Sequence, residues 1–516
     1  MTAYLLAISI GPVQEFIAAG RRTSDLYAGS ELVARIAREA AEAIGADAEL
    51  IFPADPQKGA ANKILAIVKA GDPAAIARAA EAAAKAHLRG RWDDAQGDVP
   101  REVGLALEPA RQQIDTFLEF YSAWWPWDGA DATYREARRQ VERLLAGRKA
   151  LRDFAQPQKK RPVVKSPLDP SRDSVISDPG KDARSALRLK EGEHLDAVSL
   201  LKRVQGRRRP APSTADIAAR AFLATRPNVR EVLGKLPAGA VFAERRQELV
   251  DEGDLSPEDA ARIARAVGRA EPCPYLAILQ ADGDGIGKHI DALTTPREHR
   301  EFSERLAAFA QSTDGIVRRH DGHPVYSGGD DVLAFLPVHT ALDCAAELAR
   351  AFEPTGCTLS VGVAVAHFHE PLWVSLGFAR AAEAEAKRAG GKCLHLALHL
   401  RGGEARAARV AWEDGLDGWR RWIHAFEAGL SAGFPYELGT LAREMKCAAL
   451  APDVVRAEAE RVLRRKDESE GKQAVGEMAD ELGEVSTPED LRKLAERLIV
   501  LRWLANAGVS GEGAST

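Results

Sequence analysis

The chain has 516 residues, 45% of them hydrophobic and 28% charged, which is ordinary for a soluble globular protein and too long for a single hydrophobic core. The net charge of −5 excludes a surface that binds nucleic acid over its whole extent, so any such contact is local or shared with partner subunits. Five widely spaced cysteines without a CxxC pair argue against a disulfide framework and a four-cysteine zinc site, and fit a reducing cytoplasm. The sequence contains no run of about 18 apolar residues, so no membrane span is expected.

Residues 1–130 predict a first palm-like domain. In order, the pattern predicts a strand at 3–10, a helix from Gly11-Pro12 to about 44, strands at Glu49–Phe52 and Ile64–Val68, a helix after Asp72-Pro73 and an aromatic-rich closing segment at 105–127. The first apolar run has no basic leader and therefore indicates a strand rather than a signal peptide. This β-α-β-β-α order is the start of a ferredoxin-like unit.

Residues 131–271 predict a loop and helical domain between two palms. The segment 156–184 is rich in Pro, Lys, Asp and Ser without periodicity, and is expected to be a loop or a partly disordered insert. Residues 190–270 predict helices broken at Arg209-Pro210 and Arg226-Pro227. The helical pattern gives no indication of chemistry by itself.

Residues 272–402 repeat the β-α-β-β-α-β order. The predicted elements are strands at Tyr275–Ala281, His323–Tyr326, Val332–Leu336, Thr358–Ala366 and Cys393–His399, with helices at Pro296–Arg319, Thr340–Phe352 and 371–389. From about 403 to 516 the pattern predicts a helical C-terminal domain. The expected fold class is α+β, with two ferredoxin-like palm domains, a helical linker and a helical C-terminal domain.

The first strand of the second unit ends in Asp282-Gly-Asp-Gly-Ile-Gly-Lys288. Glycines at 283, 285 and 287 remove Cβ atoms, so backbone N–H groups around Asp284 and Ile286 can approach phosphate at the start of a helix. The spacing is neither the dinucleotide fingerprint nor a Walker A loop. We therefore expect 283–287 to bind nucleotide.

Ser327-Gly328-Gly329-Asp330-Asp331 forms a turn between two apolar strands. Such a turn is often a solvated hairpin without function, but here the predicted sheet brings Asp282 beside Asp330 and Asp331. Clustered carboxylates without cations repel each other, and a divalent ion with oxygen preference, Mg²⁺ or Mn²⁺, relieves that repulsion. Two such ions would serve phosphoryl transfer, which makes these three aspartates candidate catalytic metal ligands.

Two lysines lie at the end of the last predicted helix of the second unit, at 371–389, and just after it. Lys387 lies near a helix C-terminus and Lys392 follows Gly390-Gly391 at the start of a strand. Either lysine could neutralise a triphosphate, and either could instead serve helix capping and solubility. The sequence leaves this alternative open.

The chain resembles the large subunit of type III CRISPR–Cas effector complexes, in the Cmr-type (III-B) form. Besides the Asp282 motif and the Gly-Gly-Asp-Asp turn, the resemblance rests on Ser9-Ile-Gly-Pro-Val-Gln-Glu-Phe-Ile17 with the following residues to Ser30, Asn62-Lys63, Gly192-Glu-His-Leu-Asp-Ala-Val-Ser-Leu-Leu-Lys-Arg203 and Pro212-Ser-Thr-Ala-Asp-Ile-Ala218. The second palm alone also looks like the GGDEF-type cyclases.

The resemblance implies a cytoplasmic, RNA-guided antiviral subunit that polymerises ATP into a cyclic oligoadenylate second messenger. Implied partners are other Cmr-type subunits, CRISPR guide RNA and target RNA. The resemblance also makes Asp282, Asp330 and Asp331 the metal ligands and has Ser327 to Gly329 shape the nucleotide pocket. A different adenylated signal nucleotide, or a catalytically silent scaffold, are the alternatives.

Three departures from the family pattern carry expectations. The chain begins directly at the first palm, so we expect the form that lacks the HD nuclease domain; His320-Asp321 is read as a helix end and no DNase activity is expected. The segment near Lys165-Ser-Pro-Leu-Asp169 has no cysteine, so no structural zinc is expected. The first palm carries Ser9-Ile-Gly-Pro12 in place of the acidic motif, so it should bind nucleotide at most.

Several basic and aromatic residues carry weaker signals. Arg21-Arg22 could approach the nucleotide pocket but is read as a solvated helix face. The runs Lys159-Lys160-Arg161 and Arg207-Arg208-Arg209 could contact RNA phosphates, although such runs are usually solvated. Trp419 and Trp422 lie three residues apart on a helix and are expected to pack in a core or a partner interface rather than stack on bases.

Overall fold

In the computed structural model the described residues are 3–45, 48–59, 61–151, 164–177, 181–446, 451–467, 482 and 485–509. They form a mixed α and β structure with two sheets, connected and flanked by helices. Within these residues, no helix is both long and apolar enough to cross a membrane. The tract Lys159-Lys160-Arg161 lies outside them.

The first sheet has the ferredoxin-like strand order β2-β3-β1-β4, all antiparallel. Its strands are β1 (Ala3–Gly11), β2 (Ala48–Phe52), β3 (Lys63–Val68) and β4 (Glu119–Trp127). The accompanying helices are α1 (Gln14–Ala18), α2 (Thr23–Glu42), α3 (Pro73–Gln96), α4 (Leu107–Asp115) and α5 (Asp131–Ala150). Alternate residues of β1 point to opposite faces, so Leu6 and Ile8 pack in the large core with α2 and α3, while Leu5 and Ala7 pack against α5.

The single helix predicted to run from Gly11-Pro12 to about 44 is wrong, because the structure has two helices there. The chain leaves α1 after Ala18 and begins α2 at Thr23. Lys202 donates from Nζ to the backbone carbonyls of Phe16, at 2.6 Å, and Ala19, which satisfies the end of α1 from outside the segment. A tertiary partner 183 residues away therefore sets the break.

The middle of the chain is helical. Its helices are α6 (Lys181–Leu187), α7 (Ala197–Arg208), α8 (Thr214–Ala224), α9 (Pro227–Leu233), α10 (Ala243–Asp251) and α11 (Pro257–Val267). The predicted breaks are confirmed: α7 ends just before Arg209-Pro210, and Pro227 is the first residue of α9, where its missing N–H costs no helical bond.

A buried ionic network joins α7 to α2. The Arg203 guanidinium donates to Asp25 at 3.1 Å and to Glu193 at 3.0 Å, and all three residues are at most 3% exposed. Burial of these charges is costly unless each is paired and hydrogen-bonded, and here each is. The residues belong to segments that the sequence analysis singled out only through the family resemblance, so the structure supplies their physical role.

The second sheet has the order β10-β9-β8-β5-β7-β6. Its strands are β5 (Tyr275–Asp284), β6 (His323–Ser327), β7 (Val332–Pro337), β8 (Thr358–His367), β9 (Cys393–His399) and β10 (Arg406–Ala411). Its helices are α12 (Ile286–Ala292), α13 (Pro296–Arg319), α14 (Ala341–Phe352) and α15 (Leu372–Arg388). The order of β8, β5, β7 and β6 matches that of the first sheet, as the repeated pattern predicts, and β9 adds in parallel to β8.

The C-terminal part is helical except at its start. Its helices are α16 (Asp417–Glu427), α17 (Phe434–Met445), α18 (Pro452–Asp467) and α19 (Pro488–Val509). The prediction of helix from 403 is wrong for Arg406–Ala411, since β10 pairs there with β9 and buries Ala408 and Val410. Alanine favours helices locally, but strand pairing overrides that preference. Trp419 and Trp422 are buried in the core, as predicted.

The two palm units contact each other directly. The hydroxyl of Tyr134 on α5 lies 2.9 Å from Nδ1 of His299 on α13, and both residues are buried. Arg138 on α5 donates at 3.0 Å to Asp291 on α12, the helix that follows the Asp282 motif. The first palm therefore helps hold the element next to the predicted nucleotide loop.

Replacement of Arg203 tests the buried network. We expect Arg203→Ala to lower the free energy of unfolding by about 3–5 kcal/mol, because Asp25 and Glu193 would be left buried without a cation. Arg209→Ala is the matched control: Arg209 also pairs with an acid of α2, Glu31, but its side chain is 62% exposed, so its loss should cost less than about 1 kcal/mol. Urea unfolding measures both, and equal losses would contradict the assignment.

Candidate functional site

Strand pairing brings the acidic motifs together. β5 lies between β7 and β8, with Ala281 opposite Val332 on one side and Asp282 opposite Ser360 on the other. Continuing the antiparallel register past Ala281 and Val332 puts Asp282 beside Asp331. The two predicted motifs therefore meet at the same end of the sheet.

The hairpin between β6 and β7 presents the second motif. Gly329 has a φ of 90°, a conformation that favours glycine, and the backbone N–H of Gly328 donates to the Asp331 carbonyl at 3.0 Å. A Cβ on Gly328 would collide with the Tyr326 ring, so this position also needs glycine. The Ser327 hydroxyl donates to the Ala310 carbonyl at 3.3 Å, which ties the turn to α13.

The carboxylates at this end of the sheet are desolvated and lie close to like charge. Burial, followed by the charge of Asp331, raises the pKa of Asp330 to about 6. Burial also raises the pKa of Asp331, against the opposing effect of a hydrogen bond from Gln14. On α15, burial and the charges of Asp331 and Asp284 raise the pKa of Glu383. The cluster therefore carries negative charge at a cost that a cation would relieve.

Lys387 supplies one positive charge to the cluster. Its Nζ contacts Oδ2 of Asp282 and lies 3.5 Å from Oε1 of Glu383, one helical turn earlier on α15. The structure thus brings Lys387 together with Asp282, a neighbour that the helix-capping alternative does not require. Glu383 itself was not among the predicted site residues, although it lies at the i−4 position from Lys387.

Asp284 has a different environment from Asp282. Its carboxylate accepts hydrogen bonds from the Thr358 hydroxyl at 2.9 Å, the Ser360 hydroxyl at 2.5 Å and the backbone N–H of Lys392 at 3.0 Å. These bonds tie the Gly-Gly turn after α15 to the end of β5, and a side chain on Gly391 would collide with the carboxylate. The Asp284 side chain thus holds β8 and the turn after α15 against the end of β5.

The glycines of the predicted nucleotide loop differ in their surroundings. A Cβ on Gly283 would come within 2.9 Å of Ile286 and Phe352, so this glycine permits close packing. Gly285, with a φ of 69°, and Gly287 have open space where a Cβ would be. The open backbone around α12 therefore begins at Gly285, while Lys392 adds an exposed side chain near the same sheet end.

Gln14, in the loop helix α1 of the first palm, reaches this cluster. Its Nε2 donates to Oδ2 of Asp331 at 3.2 Å, across 317 residues of sequence. Gln14 lies in the N-terminal signature at 9–17 but is not among the predicted site residues. No local pattern links it to Asp331, so only the family resemblance could have drawn attention to it.

The chemistry of the donor set fits a divalent cation that prefers oxygen ligands. Asp282, Asp330, Asp331 and Glu383 supply carboxylates, and burial is the main cause that raises the pKa of the last three. Across the described ranges, no group of three or more His, Cys, Asp or Glu residues is arranged to hold an ion. Lys387 on Asp282 occupies the cation's electrostatic role in this conformation.

The other predicted positions have structural partners. Arg22 donates to the Arg188 carbonyl at 3.0 Å, and Arg21 lies 3.8 Å from Glu193, so this pair is held against the helical middle domain. Arg208 pairs with Asp98 at 2.8 Å and with Asp94. These acids neutralise part of the charge that was considered for RNA. His320 follows the end of α13, as the helix-end interpretation predicts.

Comparisons with known proteins match both palm regions. Residues 275–393 match the family described as the Cas10/Cmr2 second palm domain, and residues 5–97 match the N-terminal family of the CRISPR-associated protein Cmr2. A "CRISPR system Cmr subunit Cmr2" from Pyrococcus furiosus is 32% identical over 177 residues, which cover 28% of this chain and 20% of that relative. The match therefore spans about a fifth of that relative's length.

Solved structures share the fold along most of the chain. A chain of the type III-B Cmr-beta cryo-EM structure in the apo state has a TM-score of 0.73 at 14% identity, covering 98% of this chain and 82% of that one. Type III-B Cmr-beta bound to cognate target RNA gives 0.63 at 14% identity, with 90% and 78% covered. A Csm1–Csm4 cassette in complex with cA4 gives 0.51 at 14% identity, with 98% and 70% covered.

The raised pKa of Asp330 predicts a stability effect with a defined sign. A carboxyl whose pKa rises from 3.8 to about 6 on folding destabilises the folded chain above that range, and the penalty disappears as pH falls below 3.8. Asp330→Asn should therefore raise the free energy of unfolding of the metal-free chain by about 1–3 kcal/mol at pH 7.5, and by less at pH 5. Calorimetry at both pH values measures this, and destabilisation at pH 7.5 would contradict it.

Proposed function

We propose that the chain is a Cas10/Cmr2-type protein of the Cmr (type III-B) form and the nucleotidyltransferase subunit of an RNA-guided antiviral effector complex, because both of its palm regions match models of that family. On binding target RNA, the complex uses this chain to polymerise ATP into cyclic oligoadenylate. Its partners are the other Cmr subunits, CRISPR guide RNA and target RNA, and it acts in the cytoplasm. The family matches support the assignment as a subunit of this complex, and the acidic site supports the proposed reaction.

One observation carries the reaction: Ala281 pairs with Val332 at the end of a palm sheet, so the next residues of the two strands are Asp282 and Asp331, with the desolvated Asp330 adjacent. Such a cluster suits the handling of polyphosphate, because it can bind the cations that neutralise phosphate charge. The Csm1–Csm4 cassette that shares this fold is described in complex with cA4. That relative supports cyclic oligoadenylate as the product to test first.

In the proposed reaction, the 3′-hydroxyl oxygen of one ATP attacks the α-phosphorus of another. A new P–O bond forms, the bond to the β-phosphate oxygen breaks, pyrophosphate leaves with its electron pair, and the hydroxyl proton passes to solvent or a carboxylate. Asp282, Asp330 and Asp331 would hold two Mg²⁺ or Mn²⁺ ions, which when bound neutralise phosphate charge and acidify the hydroxyl. Closure of the final bond within one oligomer yields the ring.

The chain's own residues have distinct tasks in this proposal. The open backbone at Gly285 and Gly287 can accept close approach of phosphate, and Ser327 to Gly329 border the pocket from the hairpin. Lys387 would exchange Asp282 for phosphate once the carboxylate has another cation, and Lys392 would add a second positive charge. The first palm, with Ser9-Ile-Gly-Pro12 at the matching strand end, binds nucleotide at most.

The product assay decides between this function and its alternatives. The assembled complex is incubated with labelled ATP, Mg²⁺ or Mn²⁺ and target RNA, and products are identified by mass spectrometry. We expect cyclic oligoadenylate. An adenylate joined to another small molecule would replace the product assignment, and no nucleotide product would favour a silent scaffold.

Substitution of each candidate ligand locates the chemistry. Asp282→Asn, Asp330→Asn and Asp331→Asn should each reduce product by more than about a hundredfold, because loss of a direct ligand costs more than the 10–100-fold typical of outer partners. Asp321→Asn is the matched control, since Asp321 is an exposed aspartate of the same palm with a φ of 54° that asparagine tolerates. Full activity of Asp330→Asn and Asp331→Asn would place the site elsewhere.

A further inference from the structure

We propose that Gln14 is a positioning residue that the first palm contributes to the metal-binding half of the second palm's site. It would act by orienting the Asp331 carboxylate for a divalent cation. The inference rests on the proposed function, because it concerns the same carboxylates. It gives the first palm, which lacks the acidic motif, a specific task in the site besides nucleotide binding.

The contact itself is the first step. Gln14 Nε2 donates to Oδ2 of Asp331 at 3.2 Å, and within the described residues no other protein side chain is seen to donate to that carboxylate. The Asp331 carboxylate is desolvated by burial and lies next to Asp330. A neutral amide donor holds one carboxylate oxygen without supplying a positive charge that would compete with a metal ion. This differs from Lys387, which brings a full charge to Asp282.

The second step is that α1 is held firmly enough to position a side chain. Lys202 donates to the carbonyls at the end of α1, and its ammonium lies 4.4 Å from the centre of the Phe16 ring. Phe16 also packs edge-to-face on Phe117 at 4.9 Å. Phe16 and Ile17 are buried, whereas Gln14 and Glu15 are exposed. The buried side chains of α1 thus fix this five-residue helix in place, and its exposed residue Gln14 contacts the second palm.

The third step is energetic. Hydrogen bonds from outer residues orient metal-binding carboxylates and commonly change metal affinity by about 10–100-fold. An exposed hydrogen bond with no such role would contribute about 1 kcal/mol to stability and leave metal binding unchanged. Affinity for the metal ion therefore distinguishes an orienting role from a purely structural one. Thermal stability does not, because either role predicts only a small change in it.

A titration of the full chain with Mn²⁺ tests the proposal. Electron paramagnetic resonance measures the concentration of free Mn²⁺ and so gives the affinity. We expect Gln14→Leu to weaken the Mn²⁺ affinity of the Asp331 site by about 10–100-fold, with Gln14→Ala as a second variant that removes the donor by truncation. Glu15→Gln is the matched control: it is the exposed neighbour on α1 and should retain wild-type affinity within about twofold. Unfolding temperatures establish that each variant is folded.

Combination with Asp331→Asn separates the failure modes. If Gln14 acts through Asp331, Gln14→Leu should weaken Mn²⁺ binding no further in an Asp331→Asn background. Wild-type affinity in folded Gln14→Leu and Gln14→Ala, with binding lost in Asp331→Asn, would overturn the role of Gln14 and leave the proposed function intact. A further loss in the double variant would also overturn it. Wild-type Mn²⁺ binding by Asp331→Asn would instead count against the proposed function's metal site.

In the assembled complex, the same variant should change the metal dependence of the reaction. Gln14→Leu should require about 10–100-fold more Mn²⁺ for half-maximal product, and the rate should recover at saturating metal. A lower rate at every metal concentration with an unchanged half-maximal value would indicate a role other than orientation and would overturn the proposal.

Discussion

Antiparallel pairing of β5 with β7 is the constraint on which the site depends. The strand pairing fixes which residues of two distant segments lie side by side, and continuing it one residue beyond Ala281 and Val332 puts Asp282 next to Asp331. Alternate residues of β5 pack in two different cores, Ile278 in one and Leu279 in the other, so a shift of one residue would exchange the side chains that each core must accommodate. The acidic cluster is thus positioned by the core beneath it.

The cluster is stabilised against its own charge from several directions. Lys387 neutralises Asp282 from α15, protein hydroxyls and a backbone N–H hold Asp284, and Gln14 holds Asp331 from the first palm. Burial, followed by the charge of Asp331, raises the pKa of Asp330. Functional sites commonly store such unfavourable charge, and the surrounding core supplies the stability that permits it.

Side-chain contacts join the two palms on two sides of the acidic cluster, one side buried and the other exposed. On one side, Tyr134 and Arg138 of α5 reach His299 and Asp291 near the nucleotide loop. On the other, Lys202 secures α1 and α1 carries Gln14 to Asp331. The first palm, which lacks the acidic motif at its own strand end, therefore holds elements of the second palm in place.

Sequence alone determined the repeated strand and helix order, the two acidic motifs and their meeting point, because hydrophobic period and turn residues are local signals and sheet order follows from the repeated unit. It missed the break between α1 and α2, which depends on Lys202, and β10, whose alanines favour helix until β9 offers a pairing edge. It also could not show that Lys387 pairs with Asp282 or that Gln14 reaches Asp331, since no local pattern encodes contacts between residues so far apart in the sequence. Tertiary structure decided these contacts because packing, not propensity, sets which distant side chains meet.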